Sequence, residues 1–297
     1  MRTQRRNLFI AACLAPALIV FCIFVIYPVI KAFIMAFYSW SGLSAGTEVF
    51  IGFDNFVTMF TDDIFWTALI NNMALMLIVP VVTMFFSMLF AFLLTRRKLH
   101  ETNFFKVVFF FPNVLSMVAI SVLWSFIYNP TMGILNSGLQ AVGLESWTRQ
   151  WLGDPTTSLP AIAATMIWTN VGWYMVLYIA AMQRIPAELY EAATIDGAGE
   201  FKQFTKITFP LIADITRITI IFFITNVFNS SFTYVQLMSN GGPDHASEVL
   251  SSYMYSQAFS SNCNMGYATS IALVTFIIVL LLSLLSNRLT QTEQIQY

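Results

Sequence analysis

Charged residues are scarce in this sequence: Asp, Glu, Lys and Arg make up only 10% of its 297 residues. Hydrophobic residues account for 58%, including 29 phenylalanines, and the mean hydropathy is +0.72. So few charges cannot cover the surface of a water-soluble protein of this length. The composition therefore excludes a soluble domain and indicates a chain that lies largely within a membrane.

Residues that carry catalysis or bind metals are also few. The cysteines Cys13, Cys22 and Cys263 form no CxxC pair, so they indicate neither a disulfide framework nor a metal site. His100 and His245 fall in loops predicted on opposite sides of the membrane, where they cannot share a metal or one catalytic dyad. These absences argue against an integral membrane enzyme, which would need a catalytic pair.

Nucleotide and nucleic-acid signals are missing as well. No glycine is followed by lysine, so the chain has no phosphate-binding GxxxxGK[ST] loop and no ATPase of its own. An isoelectric point near 6.1 provides no basic surface for a nucleic acid. Any ATP-driven process would therefore need a separate subunit.

Six apolar stretches are long enough to cross a bilayer, because about 20 helical residues at about 1.5 Å each span a core of roughly 30 Å. They cover roughly residues 8–38, 72–95, 107–127, 159–183, 216–239 and 265–287. Each is predicted to be a helix, since lipid offers the backbone no hydrogen-bond partner. We therefore predict an all-α integral membrane protein in which residues 1–297 form a single transmembrane domain.

The basic residues predict the orientation of these spans. All of the 14 Lys and Arg residues except Lys31 and Arg149 fall at the N-terminus, in or beside the loops 96–106 and 184–215, or after the last span. Cytoplasmic loops carry such an excess of Lys and Arg. Both termini and the loop 184–215 are therefore predicted to be cytoplasmic, and the loops 39–71, 128–158 and 240–264 to face outward.

Acidic residues are absent from all six predicted spans. Carriers driven by protons or sodium usually place carboxylates there, because these groups bind the driving ion. A self-sufficient secondary carrier is therefore disfavoured, whereas a passive channel for small polar solutes remains an alternative.

The cytoplasmic loop 184–215 contains a polar segment, EAATIDGAGEFKQFTKITFP, at residues 191–210. Pro186 suits the first turn of a helix, where a missing N–H costs nothing. Glu188 and Glu191 then fall in the early turns, which the helix dipole makes favourable for acidic groups. The first half of the loop is therefore predicted to be a short helix.

Glycines separate this helix from a second one. Gly197 and Gly199 permit a chain reversal, and Phe201, Phe204 and Ile207 then follow along one side of the next short helix. We therefore predict a stiff helix–turn–helix elbow that projects into the cytoplasm, rather than a flexible solvated loop.

The residues of this elbow resemble a known motif, the EAA loop of bacterial ABC importer permeases of the carbohydrate-uptake branch, such as the maltose and glycerol-3-phosphate types. The matching segments are Glu191-Ala192-Ala193, Asp196-Gly197-Ala198, Ile207 and Phe209-Pro210. Further matches are Arg184–Tyr190, Gly133-Ile134-Leu135-Asn136, Trp151-Leu152, Gly241-Gly242-Pro243 and Met265-Gly266-Tyr267-Ala268, so the resemblance covers most of the chain. Asn72 and Thr208-Phe209 depart from the usual pattern.

This resemblance implies a type I ABC importer permease fold in the bacterial cytoplasmic membrane. Its implied partners are a second homologous permease, two ATP-binding-cassette ATPase subunits that hold ATP and Mg, and an extracytoplasmic solute-binding protein. The chain itself would hold no cofactor and no metal. The residues implied to contact the ATPase are Glu188, Glu191, Ala192, Ala193, Asp196, Gly197 and Gly199. Those implied to contact the binding protein are Gly241, Gly242, Pro243 and Asp244.

Polar residues inside the fifth predicted span suggest where a substrate passes. Their spacing of i, i+3, i+4 and i+7 places them on one stripe of a helix: Asn226, Asn229, Ser230 and Thr233. Amides and hydroxyls both donate and accept hydrogen bonds, which suits the hydroxyls of a sugar. The same residues also serve as interhelical contacts in membrane bundles, so both interpretations stay open.

The fourth predicted span offers aromatic and small residues. Trp168 and Gly172 lie on one side, and an aromatic face can stack on the apolar face of a sugar ring. Asn170, Trp173 and Tyr174 are predicted to point away from that side. Asn113 and Ser116, in the third span, are weaker candidates for the same path.

Overall fold

The computed structural model describes residues 2–42, 46–96, 101–260 and 263–290. Arg97, Lys98 and His100, which entered the predictions above, lie outside the described residues. The chain divides into two compact units, Met1–Asp62 with Met254–Ile277 and Asp63–Tyr253 with Ile278–Tyr297. Regular structure in the described parts is helical, apart from one antiparallel hairpin of Tyr38–Ser39 (β1) and Val49–Phe50 (β2).

The first unit begins with a long apolar helix. Its helices are α1 (Arg2–Phe21), α2 (Tyr27–Met35) and α3 (Asp54–Phe60). A π-helical turn, Cys22–Ile26, joins α1 to α2 and ends two residues before Pro28. Because proline has no N–H and crowds the carbonyl four residues earlier, an ordinary helical turn is unfavourable there. The wider turn, in which the Tyr27 N–H donates to the Cys22 carbonyl, relieves this conflict.

The buried amide of Asn55 holds together the part of this unit that contains the hairpin. Asn55 Nδ2 donates to the carbonyls of Ala36 (2.9 Å) and Tyr38 (3.0 Å), tying α3 to the chain that leaves α2. A Cβ on Gly266 would lie 1.9 Å from the Tyr38 oxygen, so only glycine fits at this contact. The hairpin is thus fixed to the start of the last span.

The second unit contains most of the bundle. Its helices are α4 (Asp63–Arg96), α5 (Thr102–Val114), α6 (Met117–Ile127), α7 (Ile134–Ala141), α8 (Ser158–Met182), α9 (Ala187–Ile195), α10 (Glu200–Gln203), α11 (Phe209–Leu211) and α12 (Ala213–Met238). Two further helices, α13 (Leu250–Phe259) and α14 (Met265–Thr290), each cross the boundary between the units. The long helices α4, α8, α12 and α14 overlap the second, fourth, fifth and sixth predicted spans, and shorter helices lie between them.

Helices α4, α8 and α12 form the core of this unit. Ser87 Oγ of α4 donates to the Val171 carbonyl of α8 at 2.8 Å. Tyr178 of α8 is fully buried, and its hydroxyl lies 2.9 Å from Met84 Sδ and 3.1 Å from Thr219 Oγ1 of α12. Such polar contacts join helices in a membrane, where lipid is as apolar as the side chains and burial gives little driving force.

Five described helices are long and apolar enough to cross a membrane: Phe9–Met35, Asp63–Thr95, Ser158–Met182, Ala213–Met238 and Met265–Leu284. The third predicted span, 107–127, is different, because α5 and α6 meet there at a bend of 101°. Leu115 and Ser116 both have extended backbone, and the Ser116 hydroxyl accepts a hydrogen bond from the Val118 N–H. The prediction of a continuous helix here is therefore wrong, since Ser116 begins a new helix as its N-cap.

Candidate functional site

We call residues Ala187–Leu211 the elbow; they lie between the fourth and fifth predicted spans. Helix α9 begins directly after Pro186 and ends at a turn in which Gly197 has φ +74°. The Gly197 N–H donates to the Thr194 carbonyl (3.1 Å), and the Ala198 N–H donates to the Ala193 carbonyl (2.8 Å). This pair of bonds is the Schellman arrangement, which ends a helix on a left-handed residue that is usually glycine.

The return limb of the elbow is α10, a π-helical turn at Phe204–Thr208, and α11. The π turn again ends two residues before a proline, Pro210, as it does before Pro28 in the first unit. Because a π turn contains more residues than an α-helical turn, it also rotates the side chains that follow it about the helix axis. Phe201 is consequently 80% exposed while Phe204 and Ile207 are half-buried, so the three do not share one face as predicted.

Side-chain hydrogen bonds join the two limbs. Gln203 Nε2 donates to Thr194 Oγ1 (3.0 Å) and to the Ala198 carbonyl (2.9 Å). The hydroxyls of Tyr190 and Thr208 lie 2.9 Å apart. Sequence reasoning missed this set, although the spacing of Tyr190 and Thr194 by four residues places both on one face of α9.

The outer surface of the elbow combines acidic, small and apolar groups. The predicted ATPase contacts Glu188, Glu191, Ala192, Asp196, Gly197 and Gly199 are exposed, and Ala193 is half-buried. Leu189, Ile195 and Phe201 are exposed by 45%, 86% and 80% in a segment predicted to face the cytoplasm rather than lipid. Exposed apolar side chains of this kind mark a protein contact surface.

The return limb also rests against the bundle. Phe204 packs edge-on against Phe92 near the end of α4 that is predicted to be cytoplasmic, with ring centroids 5.0 Å apart. Tyr190 borders a cavity of about 170 Å³ together with Phe92, Thr95 and Met182. The elbow is therefore in direct contact with the end of α4 and borders a cavity together with the end of α8.

A second candidate site is a cavity of about 320 Å³ at the bend between α5 and α6. Its lining residues are Asn113, Leu115, Ser116, Met117, Thr169, Asn170, Phe223, Asn226, Ser230 and Tyr234. These described residues include amides and hydroxyls but no charged side chain. Asn113 and Asn226 make no side-chain hydrogen bond to a described residue. Their amides are thus available to a polar ligand.

The cavity brings together part of the predicted set of sugar contacts. Asn226 and Ser230 line it, whereas Asn229 and Thr233 do not, although Asn229 is exposed. Asn113 and Ser116 line it too. Asn170 was predicted to point away from the substrate path, but it lines the cavity, because the bend places α5 and α6 beside that side of α8.

Trp168 and Gly172 do not line this cavity. Trp168 packs edge-on against Trp124 of α6, with centroids 5.3 Å apart, and remains 39% exposed. A Cβ on Gly172 would lie 1.8 Å from the Phe109 carbonyl oxygen, so this glycine allows α5 and α8 to touch. Its position is explained by helix packing.

The segment Asn240–Glu248, which is predicted to face outward and which we call the outer loop, is held by several hydrogen bonds. Glu248 is buried, and its carboxylate accepts hydrogen bonds from Ser252 and pairs with His245 (3.0 Å). Asn71 Nδ2 of α4 donates to the carbonyls of Ala246 and Glu248, both at 2.9 Å. Gly241 has φ +79°, and a Cβ there would lie 2.2 Å from the Glu248 carboxylate. These contacts leave Asp244 and His245 exposed at the surface.

A second segment that is predicted to face outward is held together by Asn136 at the start of α7. Its Nδ2 donates to the carbonyls of Pro130 (3.1 Å) and Arg149 (2.9 Å), and its Oδ1 accepts from Trp151 Nε1 (2.8 Å). Hydrogen bonds from the Thr156 hydroxyl and backbone N–H lower the pKa of the nearby Asp154 carboxyl. The asparagine and tryptophan noted in the sequence therefore close this loop.

The bundle, the elbow and the uncharged cavity together define a helical membrane transport protein. Residues 66–292 match the family described as binding-protein-dependent transport system inner membrane component. The chain belongs to this family. It is a multi-pass permease subunit of the bacterial inner membrane, a transport component rather than an enzyme.

Individual relatives match over nearly the whole chain. A probable ABC transporter permease protein of Bacillus subtilis is 40% identical, covering 94% of both chains. The diacetylchitobiose uptake system permease protein of Streptomyces coelicolor is 37% identical, covering 97% of this chain and 86% of that one. Among solved structures, the bacterial alginate ABC transporter in complex with an alginate pentasaccharide-bound periplasmic protein has a chain that matches with a TM-score of 0.81 and 25% identity. That match covers 98% of each chain.

Proposed function

We propose that this chain is the membrane path of an ATP-driven importer for a sugar or oligosaccharide. The observation that carries the proposal is the cavity at the bend between α5 and α6, where Asn113 and Asn226 present free amides without any charged group among the described lining residues. Amides that both donate and accept match the hydroxyls of a neutral sugar. The names of the chitobiose and alginate relatives support a carbohydrate substrate.

The importer would be assembled from several chains. We infer a second permease of similar fold, two ATPase subunits that bind ATP and Mg, and an extracytoplasmic binding protein that delivers the sugar. The family description supports the binding protein, and the alginate ABC transporter in complex with a periplasmic protein supports an assembly of this kind. Energy would come from the ATPase subunits.

In this assembly the elbow would dock onto an ATPase subunit. Glu188, Glu191 and the small residues Ala192 and Ala193 would form the polar part of the contact, and Ile195 with Phe201 the apolar part. Closure of the ATPase pair would then tilt the spans and alternate the access of the cavity. On the opposite face, the outer loop from Gly241 to Asp244 would contact the binding protein.

Replacing Gly197 by proline tests the docking of the elbow. Proline cannot adopt φ +74° and removes the N–H that bonds to Thr194. We expect co-purification of the ATPase subunit with the tagged permease pair to fall by more than about tenfold, because a helix-breaking proline costs roughly 3 kcal/mol or more. Full retention of the ATPase would refute the proposed docking.

The chain contains a matched control on the outward side. Gly143 also ends a helix with a left-handed backbone, φ +77°, and its N–H donates to the Gln140 carbonyl at 3.0 Å. The Leu144 N–H repeats the second bond of the same turn by donating to the Leu139 carbonyl. Gly143→Pro is expected to retain the ATPase, so the pair separates loss of docking from a general effect of proline.

Asn226→Leu tests the cavity. The substitution keeps a similar volume but removes the amide, so transport by the reconstituted importer is expected to fall about tenfold, the equivalent of roughly 1.4 kcal/mol. Uptake of radiolabelled diacetylchitobiose into proteoliposomes would measure it. The neighbouring Thr225→Val removes a hydroxyl that bonds only to carbonyls of its own helix and should leave uptake unchanged. Equal uptake by both variants would remove Asn226 from the substrate path.

A further inference from the structure

The elbow contains side-chain hydrogen bonds between its two limbs, and these bonds are not part of the proposed docking surface. Gln203 is only 3% exposed, and its amide bridges Thr194 on α9 and the Ala198 carbonyl in the turn. Thr208 is fully buried and pairs with Tyr190 one helical turn before Thr194. The two connections lie one helical turn apart on the face of α9 that meets the return limb.

Neither limb is long enough to be rigid alone. Helix α9 has 9 residues and α10 has 4. Isolated helices shorter than about 12–15 residues are only marginally stable in water. The return limb also contains a π turn, which lacks the regular helical pattern. Stiffness of the elbow must therefore come from contacts between its limbs and from the contact of Phe204 with the bundle.

Most exposed docking residues and the ring contact with α4 belong to different limbs. The exposed residues proposed to meet the ATPase, such as Glu191 and Ile195, belong to α9. The ring contact with the end of α4 is made by Phe204, in the return limb. A displacement of α9 reaches Phe204 through the Gln203 and Tyr190–Thr208 connections, in addition to the covalent turn at Gly197.

We propose that Gln203 and the Tyr190–Thr208 pair are positioning residues that lock α9 to the return limb, so that movement of the docked ATPase moves α4. This inference rests on the proposed function, because it assigns these side chains to transmission rather than to docking. Loss of the lock should let the ATPase close without changing access to the cavity.

The test uses the complete transporter in sealed proteoliposomes, oriented with the ATPase subunits and the nucleotide inside and the maleimide outside, and needs no identified sugar. Cys13, Cys22 and Cys263 are replaced by serine, and Ser230→Cys places a reporter in the cavity. Labelling by a membrane-impermeant maleimide is compared with and without ATP plus vanadate, which traps the closed ATPase. Gln203→Met keeps the side-chain length and removes the amide. The same substitution at exposed Lys206 is the matched control.

We expect Lys206→Met to show the vanadate-dependent change in labelling, and Gln203→Met to reduce that change at least about fivefold, since one net hydrogen bond corresponds to roughly that factor. Gln203→Met should still retain the ATPase subunit. An unchanged response in Gln203→Met would overturn the proposal. Loss of the ATPase from Gln203→Met would overturn it too, because the residue would then serve docking.

The second connection gives an independent measurement if Gln203→Met does not accumulate. Tyr190→Phe and Thr208→Val should each reduce the vanadate-dependent change in labelling, and the double variant should reduce it no further than either one. Thr208→Ser keeps the hydroxyl and should show the normal change. A normal response in Tyr190→Phe would overturn the proposal. Failure of the proposed function looks different: Gly197→Pro would keep the ATPase, or the otherwise unsubstituted reporter transporter would show no response to vanadate.

Discussion

Replacing Gly172 by alanine is expected to destabilise the protein strongly. The added methyl group would lie 1.8 Å from the Phe109 oxygen and 2.7 Å from the Phe110 nitrogen, and neither backbone atom can rotate away. Helices α5 and α8 must therefore separate, at a cost of roughly 1–3 kcal/mol or more for overpacking. We expect the midpoint of heat-induced aggregation of the detergent-purified protein to fall by about 5 °C or more.

Gly138 provides the control for this substitution. It also lies within a helix, α7, but no atom lies within 4 Å of a Cβ placed there. Gly138→Ala should keep or slightly raise the midpoint, because alanine favours helix over glycine by about 1 kcal/mol. Equal midpoints for the two alanine variants would show that α5 and α8 do not approach as closely as the structure indicates.

Asn71→Ala is expected to release the outer loop. The substitution removes two hydrogen bonds and leaves the carbonyls of Ala246 and Glu248 without their donor. An unsatisfied buried polar group costs about 1–3 kcal/mol. If the outer loop receives the binding protein as proposed, affinity for that protein should fall at least about tenfold. Biolayer interferometry with the immobilised permease pair would measure the change.

Thr67→Ala tests whether the loss of affinity is specific to the two hydrogen bonds of Asn71. Thr67 lies one turn earlier on α4, and its hydroxyl donates only to the Asp63 carbonyl of the same helix. Its replacement should leave both binding-protein affinity and resistance of the outer loop to proteolysis unchanged. Unaltered affinity in Asn71→Ala, despite increased cleavage of the loop, would exclude this loop from docking.

Hydrophobic length was enough to predict most of the fold. Runs of about 20 apolar residues form helices in lipid, because a helix satisfies the backbone hydrogen bonds internally. Helices α4, α8, α12 and α14 could therefore be located from the hydrophobic runs alone. The break at Leu115–Ser116 could not, because those residues sit in an apolar run and the bend depends on tertiary contacts. Pro112 was visible in the sequence, yet a proline in a membrane helix is compatible with either a kink or a continuous span.

In the candidate sites, too, some features could be predicted from the sequence and others could not. The glycine at position 197 was predictable, since a polar loop with paired glycines favours a chain reversal and the left-handed φ follows from the turn. The bonds from Gln203 to Thr194 and from Tyr190 to Thr208 were not, because periodicity does not say which side chains meet across a turn. The place of Asn170 beside the cavity was not predictable for the same reason, since the bend in the third span determines which face of α8 borders the cavity.

Helix α4 joins two surfaces that would otherwise be independent. Asn71 clamps the outer loop near one end, and Phe92 meets the return limb about 30 Å away along the same helix. If a cargo-loaded protein binds outside and nucleotide acts inside, linkage makes the two events reciprocal. The factor by which the loaded protein favours the nucleotide-bound state is then the factor by which that state holds the loaded protein. The affinity for nucleotide measured with and without the loaded protein, and the affinity for the loaded protein measured with and without nucleotide, become two measurements of one quantity.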